Sequence, residues 1–83
     1  MVRVKLYGSV SKLAGTADLN LGVREGMVLK DLVQKVVGHT GQSPTQLISA
    51  ILVNGRNCAF QKGLDTEIID GDLVEMLPII TGG

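Results

Sequence analysis

Met76-Leu77-Pro78-Ile79-Ile80-Thr81-Gly82-Gly83 closes the 83-residue sequence, and its reading decides the rest. Two consecutive glycines carry no Cβ, so the strand they make is thin, approaches another backbone or a nucleotide closely, and leaves the terminal carboxylate unshielded. A carboxylate presented in this way is suited to threading into a partner's narrow active site and being activated there. Pro78, Ile79, Ile80 and Thr81 make an extended spacer of about 13–14 Å, and Gly82 and Gly83 bring the reach to about 20 Å. Pro78 has no amide hydrogen, so it stiffens the exit and stops the last strand from growing. The expected division is a domain over 1–78 and an extended, flexible tail over 79–83.

Upstream of the tail, Leu73-Val74-Glu75-Met76-Leu77 alternates with period two and reads as the final strand, launched by an Asp70-Gly71-Asp72 turn. With Val74 and Met76 toward the core, Leu73, Glu75 and Leu77 point outward. Ala50-Ile51-Leu52-Val53 is a nearly continuous apolar strand, followed by Asn54-Gly55, a strong hairpin-turn signal, and a returning strand over 56–60. At the other end Val2-Arg3-Val4-Lys5-Leu6-Tyr7 alternates as a half-buried strand. An irregular connection over 8–15 leads to a second alternating strand over 17–23, antiparallel to the first. Leu29, Leu32, Val33, Val36 and Val37 then form the apolar stripe of an amphipathic helix, and Gly38 supplies its stop. Its start lacks a Ser, Thr, Asp or Asn cap, since Met27 or Val28 stands there. Residues 39–42 read as loop, and Ser43-Pro44 predicts a short helix over 45–48. The sum is an α+β domain with a mixed sheet of four or five strands packed on one main helix, its other face open to water or a partner.

Composition limits the function classes. The 8 Lys and Arg residues balance 8 Asp and Glu, which removes the electrostatic case for nucleic acid or an anionic membrane. No apolar run approaches the roughly 18 residues of a membrane span, and Arg3 and Lys5 interrupt the start, so neither anchor nor signal peptide is expected and the expected compartment is the cytoplasm. With 1 Cys and 1 His there is no internal disulfide and no metal-ligand set. Cys58 reads as a small buried hydrophobe, and His39 as a ring meeting free carbonyls past a helix end. Asp70 and Asp72 read as turn residues, and Met76 as core.

These residues together carry a resemblance. Strand, strand, helix, strand, strand and a Gly-Gly end resemble the ubiquitin-like β-grasp fold, and the details resemble its sulfur-carrier branch, the small subunit of molybdopterin synthase and its relatives. Val4-Lys5-Leu6-Tyr7-Gly8 through Leu13-Ala14-Gly15 is similar to the opening strand and turn of that family. Asn54-Gly55 is similar to its third-to-fourth strand turn, and Asp70-Gly71-Asp72-Leu73-Val74 followed by Pro78 and Thr81-Gly82-Gly83 is similar to its last strand and tail. Thiazole-forming carriers share the Gly-Gly tail, but Pro78 favours the molybdopterin type.

The resemblance implies a mechanism. An adenylating enzyme of the ubiquitin-activating type would use ATP to adenylate the Gly83 carboxylate, and a sulfur donor enzyme would convert it into a thiocarboxylate. The larger catalytic subunit of molybdopterin synthase would then receive the sulfur at a small-molecule precursor. Activation is needed because a free carboxylate is a poor electrophile. The carrier binds no cofactor or metal and is not itself an enzyme. Since first and last strands are neighbours in a β-grasp sheet, Arg3, Lys5 and Tyr7 would lie beside Leu73, Glu75 and Leu77 as a docking patch at the root of the tail. Two other classes share the features: a protein modifier joined through Gly83 to lysines, and a β-grasp binding module whose Gly-Gly end is incidental.

Overall fold

The computed structural model describes residues 1–37 and 48–79. Strand β1 (Val2–Leu6) is followed by helix α1 (Gly8–Ala14), strand β2 (Asp18–Leu21), helix α2 (Leu29–Val37), strands β3 (Ile48–Val53) and β4 (Arg56–Asn57), and strand β5 (Leu73–Pro78). One mixed five-stranded sheet has the order β2-β1-β5-β3-β4. The last strand therefore lies in the middle, parallel to β1 and antiparallel to β3. This is the expected β-grasp arrangement, and among the described residues a helix, α1, joins the expected main helix α2.

The alternation read from the sequence sorts the faces. Val2, Val4 and Leu6 of β1, Ile51 and Val53 of β3, and Val74 and Met76 of β5 all turn inward and are buried. Leu29, Leu32, Val33 and Val36 of α2 close over them from the other side. The side chain of Val37 lies outside the described residues, as do Gly38, His39, the 39–42 loop and the helix expected from Ser43-Pro44. Ile48, expected to end that helix, instead opens β3.

Helix α2 starts without a capping Ser or Thr, and Asp31 replaces one. Its carboxylate accepts from the Val28 backbone N–H at 3.1 Å, the back half of a capping box. Leu29 N–H donates to Thr66 O at 2.9 Å, so a second free donor of the first turn is also satisfied.

Two expectations fail locally. The connection after β1 is helix α1, whose buried Val10 and half-buried Ala14 keep the i, i+4 spacing on a run too short to show a clear period. Gly15, at φ 79, ends it with its N–H on Ser11 O. The returning strand stops after Arg56 and Asn57, because Asn57 Oδ1 accepts from Ala59 N–H at 2.9 Å and draws Cys58–Phe60 into a 3-10 turn. Cys58 is nonetheless buried, and burial raises its thiol pKa. The hairpin turn itself is as expected, with Asn54 and Gly55 both left-handed at φ 53 and 84, the type I′ pattern.

No helix among the described residues is long and apolar enough to cross a membrane. Equilibrium denaturation separates the two supports of α2. Leu32→Ala, at a site with no exposure, is expected to cost about 2–5 kcal/mol. Asp31→Ala, which removes only the cap, is expected to cost about 0.5–2 kcal/mol.

Candidate functional site: the open sheet face and the root of the tail

Every residue on one face of a strand has its neighbour on the next strand in register, so the outer face follows from the pairing. Arg3 and Lys5 of β1 stand opposite Leu73 and Glu75 of β5, and Leu52 and Ala50 of β3 stand opposite Glu75 and Leu77. All six proposed docking residues lie close together: Arg3 and Lys5 on β1 with Tyr7 just past its end, and Leu73, Glu75 and Leu77 on the neighbouring β5. Leu73, Glu75 and Leu77 are half-buried within this layer, and Tyr7 is 38% exposed at its rim.

Three of the four polar members are hydrogen-bonded on this face, Arg3 to Asp18 of β2 and Tyr7 to Glu75. Arg3 grips Asp18 with both arms, at 3.3 Å from Nε to Oδ1 and 2.8 Å from the terminal nitrogen to Oδ2. Tyr7 donates its hydroxyl to Glu75 Oε2 at 2.7 Å. Hydrogen bonding to Arg3 lowers the Asp18 carboxyl pKa and raises that of the guanidinium, while the bond to Glu75 raises the Tyr7 phenol. Leu73 and Leu77 flank Glu75 on β5, Leu52 stands opposite it on β3 and Lys5 opposite it on β1, so the three leucines surround a charged position. The face therefore mixes leucines with charged and polar side chains, without a purely apolar middle.

Leu52 and Ala50 escaped the sequence reading because β3 is apolar on both faces, so periodicity alone does not say which residues look outward. The Asp70-Gly71-Asp72 turn proves structural. Asp72 accepts from the Ile69 N–H and the Asn54 side-chain amide, both at 2.9 Å, while Asp70 pairs with the Met1 amine. Asn54 in turn accepts from Leu73 N–H at 2.9 Å, so the hairpin turn and the launch of β5 are tied together.

At the far end of β5, Pro78 is the last residue of the strand and pairs with Ile48. Ile79 follows it, 37% exposed. Ile80, Thr81, Gly82 and Gly83 lie outside the described residues.

The ThiS family model matches residues 4–83, almost the whole chain. The chain belongs to the ThiS family of ubiquitin-like sulfur carriers. It is similar to a protein assigned as a sulfur carrier in Archaeoglobus fulgidus, with 28% identity covering 99% of this chain and 98% of that one. Among solved structures it resembles a protein of Pyrococcus furiosus assigned as molybdopterin converting factor subunit 1, with 26% identity, a TM-score of 0.74, and 95% and 97% of the two chains covered. It is equally similar to small archaeal modifier protein 1 of Methanosarcina acetivorans, with 26% identity, a TM-score of 0.76, and 99% and 95% coverage.

The two hydrogen-bonded pairs give this ThiS-family face opposite pH responses. Asp18, lowered in the folded state, favours folding above the ordinary carboxylate range and loses that contribution as pH falls through its folded pKa. Tyr7, raised in the folded state, contributes below the ordinary phenol range and loses that contribution as pH rises through its folded pKa. NMR titration is expected to place the Asp18 midpoint below 3.8. Arg3→Met should move it back up, and Glu75→Gln should lower the Tyr7 midpoint toward the ordinary phenol value.

Proposed function

We propose that this chain carries sulfur on the carboxylate of Gly83 for the synthesis of molybdopterin, the organic part of the molybdenum or tungsten cofactor. The observation that carries the reading is that β5 joins docking face to tail. Leu73 and Leu77 sit on the open face, and Pro78, one residue later, is where the chain leaves the sheet. A partner seated on that face meets the start of the tail, and an extended tail reaches about 20 Å beyond it. Similarity to the Pyrococcus furiosus protein assigned as molybdopterin converting factor subunit 1 supports the choice of pathway over thiazole synthesis.

In this reading the carboxylate of Gly83 attacks the α-phosphate of ATP in an adenylating enzyme, and pyrophosphate leaves. A sulfur donor then displaces AMP, leaving a thiocarboxylate. The larger subunit of a molybdopterin synthase receives the tail and catalyses transfer of the sulfur to the precursor. The carrier contributes reach and an activated end, and the acids and bases belong to its partners. The compartment that suits this exchange is the cytoplasm.

The intact mass of the chain, recovered from its native cells under thiol-preserving conditions, tests the chemistry. The expected result is a fraction heavier by the difference between sulfur and oxygen, lost on removal of Gly83. An unmodified mass after addition of activating enzyme, ATP and sulfur donor overturns the reading. Leu73→Asp and Leu77→Asp should each weaken the complex with the larger subunit by about tenfold or more, which calorimetry reads directly.

Similarity to small archaeal modifier protein 1 favours a second reading, attachment of Gly83 to lysines of other proteins. The same adenylate serves both outcomes. Conjugates in cell extracts that vanish when Gly83 is deleted would support the modifier.

A further inference from the structure

Pro78 is held from two sides by residues to which the carrier reading assigns no role. On one side lies the start of α1. A Cβ placed on Gly8 would stand 2.9 Å from Pro78 Cγ, so only a glycine lets the proline ring sit this close. Gly8 also takes φ +55, which L side chains rarely adopt.

On the other side, β3 carries an irregularity. Ile48 pairs with Pro78 and Ala50 with Leu77, so Ser49 is the extra residue of a bulge. A bulge re-aims a side chain, and here the Ser49 hydroxyl donates to the Pro78 carbonyl oxygen at 2.8 Å. The consequence is specific to the backbone. The pyrrolidine ring already sets φ of Pro78, and its wall at Gly8 keeps the ring in place. The Ser49 hydrogen bond holds the carbonyl, which sets ψ. Both torsions of the last strand residue are thus constrained, and with them the peptide plane from which the tail departs.

The leverage is large. If the tail runs on fully extended into a partner, an error of about 30° at this plane would displace its end by about 8–9 Å. Misplacement of a reacting atom by about 1 Å can cost on the order of 100-fold in rate.

We propose that Ser49 is a positioning residue for the reactive end of the chain, acting through the Pro78 carbonyl, with Gly8 as the wall against which Pro78 is held. The role in catalysis rests on the carrier reading. The clamp itself does not. Docking and aiming are separable here, because Ser49 acts on the exit of the tail whereas Leu73 and Leu77 lie on the open face on either side of Glu75.

The test compares Ser49→Ala and Ser49→Thr with wild type, since Gly8→Ala adds backbone strain that can prevent folding. The first readout is the backbone order parameter of the Ile79 amide in the isolated protein. Wild type and S49T are expected near the rigid value of about 0.85, and S49A below about 0.6. The second is adenylation by the activating enzyme with ATP, varying the carrier concentration. S49A should lower kcat by about 3- to 10-fold, the loss of one neutral hydrogen bond, with KM unchanged and S49T close to wild type. An Ile79 order parameter unchanged in S49A overturns the clamp. A lowered order parameter with unchanged kcat, or a loss that appears in KM, overturns the positioning role. If wild type itself is not adenylated, the carrier reading fails and the positioning role with it, while the order parameter still decides the clamp.

Discussion

The pairing of β5 with both β1 and β3 is the constraint on which the rest of the structure depends. The strand closest to the end of the sequence is inserted between the first strand and the third, so the inward side of the sheet is incomplete until Leu73–Pro78 arrives. Val74 and Met76 then have no exposed surface. Most domain ends fray because little ties them down. Here the tail begins at a strand paired on both sides, and its last residue, Pro78, still pairs with Ile48.

The two faces of β5 divide the labour of the molecule. Its inward residues belong to an aliphatic core, in keeping with a sequence that holds only 1 Tyr and 1 Phe, and Phe60 stays 89% exposed. Its outward residues lie in a layer where Arg3 pairs with Asp18 and Glu75 accepts from the Tyr7 hydroxyl. Charges that satisfy each other add little stability at such exposure. Leu52, Leu73 and Leu77 are the apolar side chains that this layer leaves beside them.

Much of this was legible in the residues because the signals were periodic. Alternation in Val2-Arg3-Val4-Lys5-Leu6 and in Leu73-Val74-Glu75-Met76-Leu77 assigned the inner and outer faces correctly, and the stripe through Leu29, Leu32, Val33 and Val36 located α2. Where one polar atom decides, periodicity is silent. Asp31 capping α2, Asn57 diverting the strand into a 3-10 turn, and Gly8 opening α1 against Pro78 are each a single contact, and no pattern of apolar residues announces a contact.

The sequence by itself determined the fold class, the family, the faces of the strands and the existence of a Gly-Gly end, since all of these are written in residue type and local spacing. Only the tertiary structure decided which strands are neighbours in space, that Leu52 joins Leu73 and Leu77 on one face, and that Ser49 and Gly8 meet at Pro78. Those contacts join residues 29 and 70 positions apart in the chain. Local propensity does not reach across such separations, and it is the closure of β5 into the sheet that brings them together.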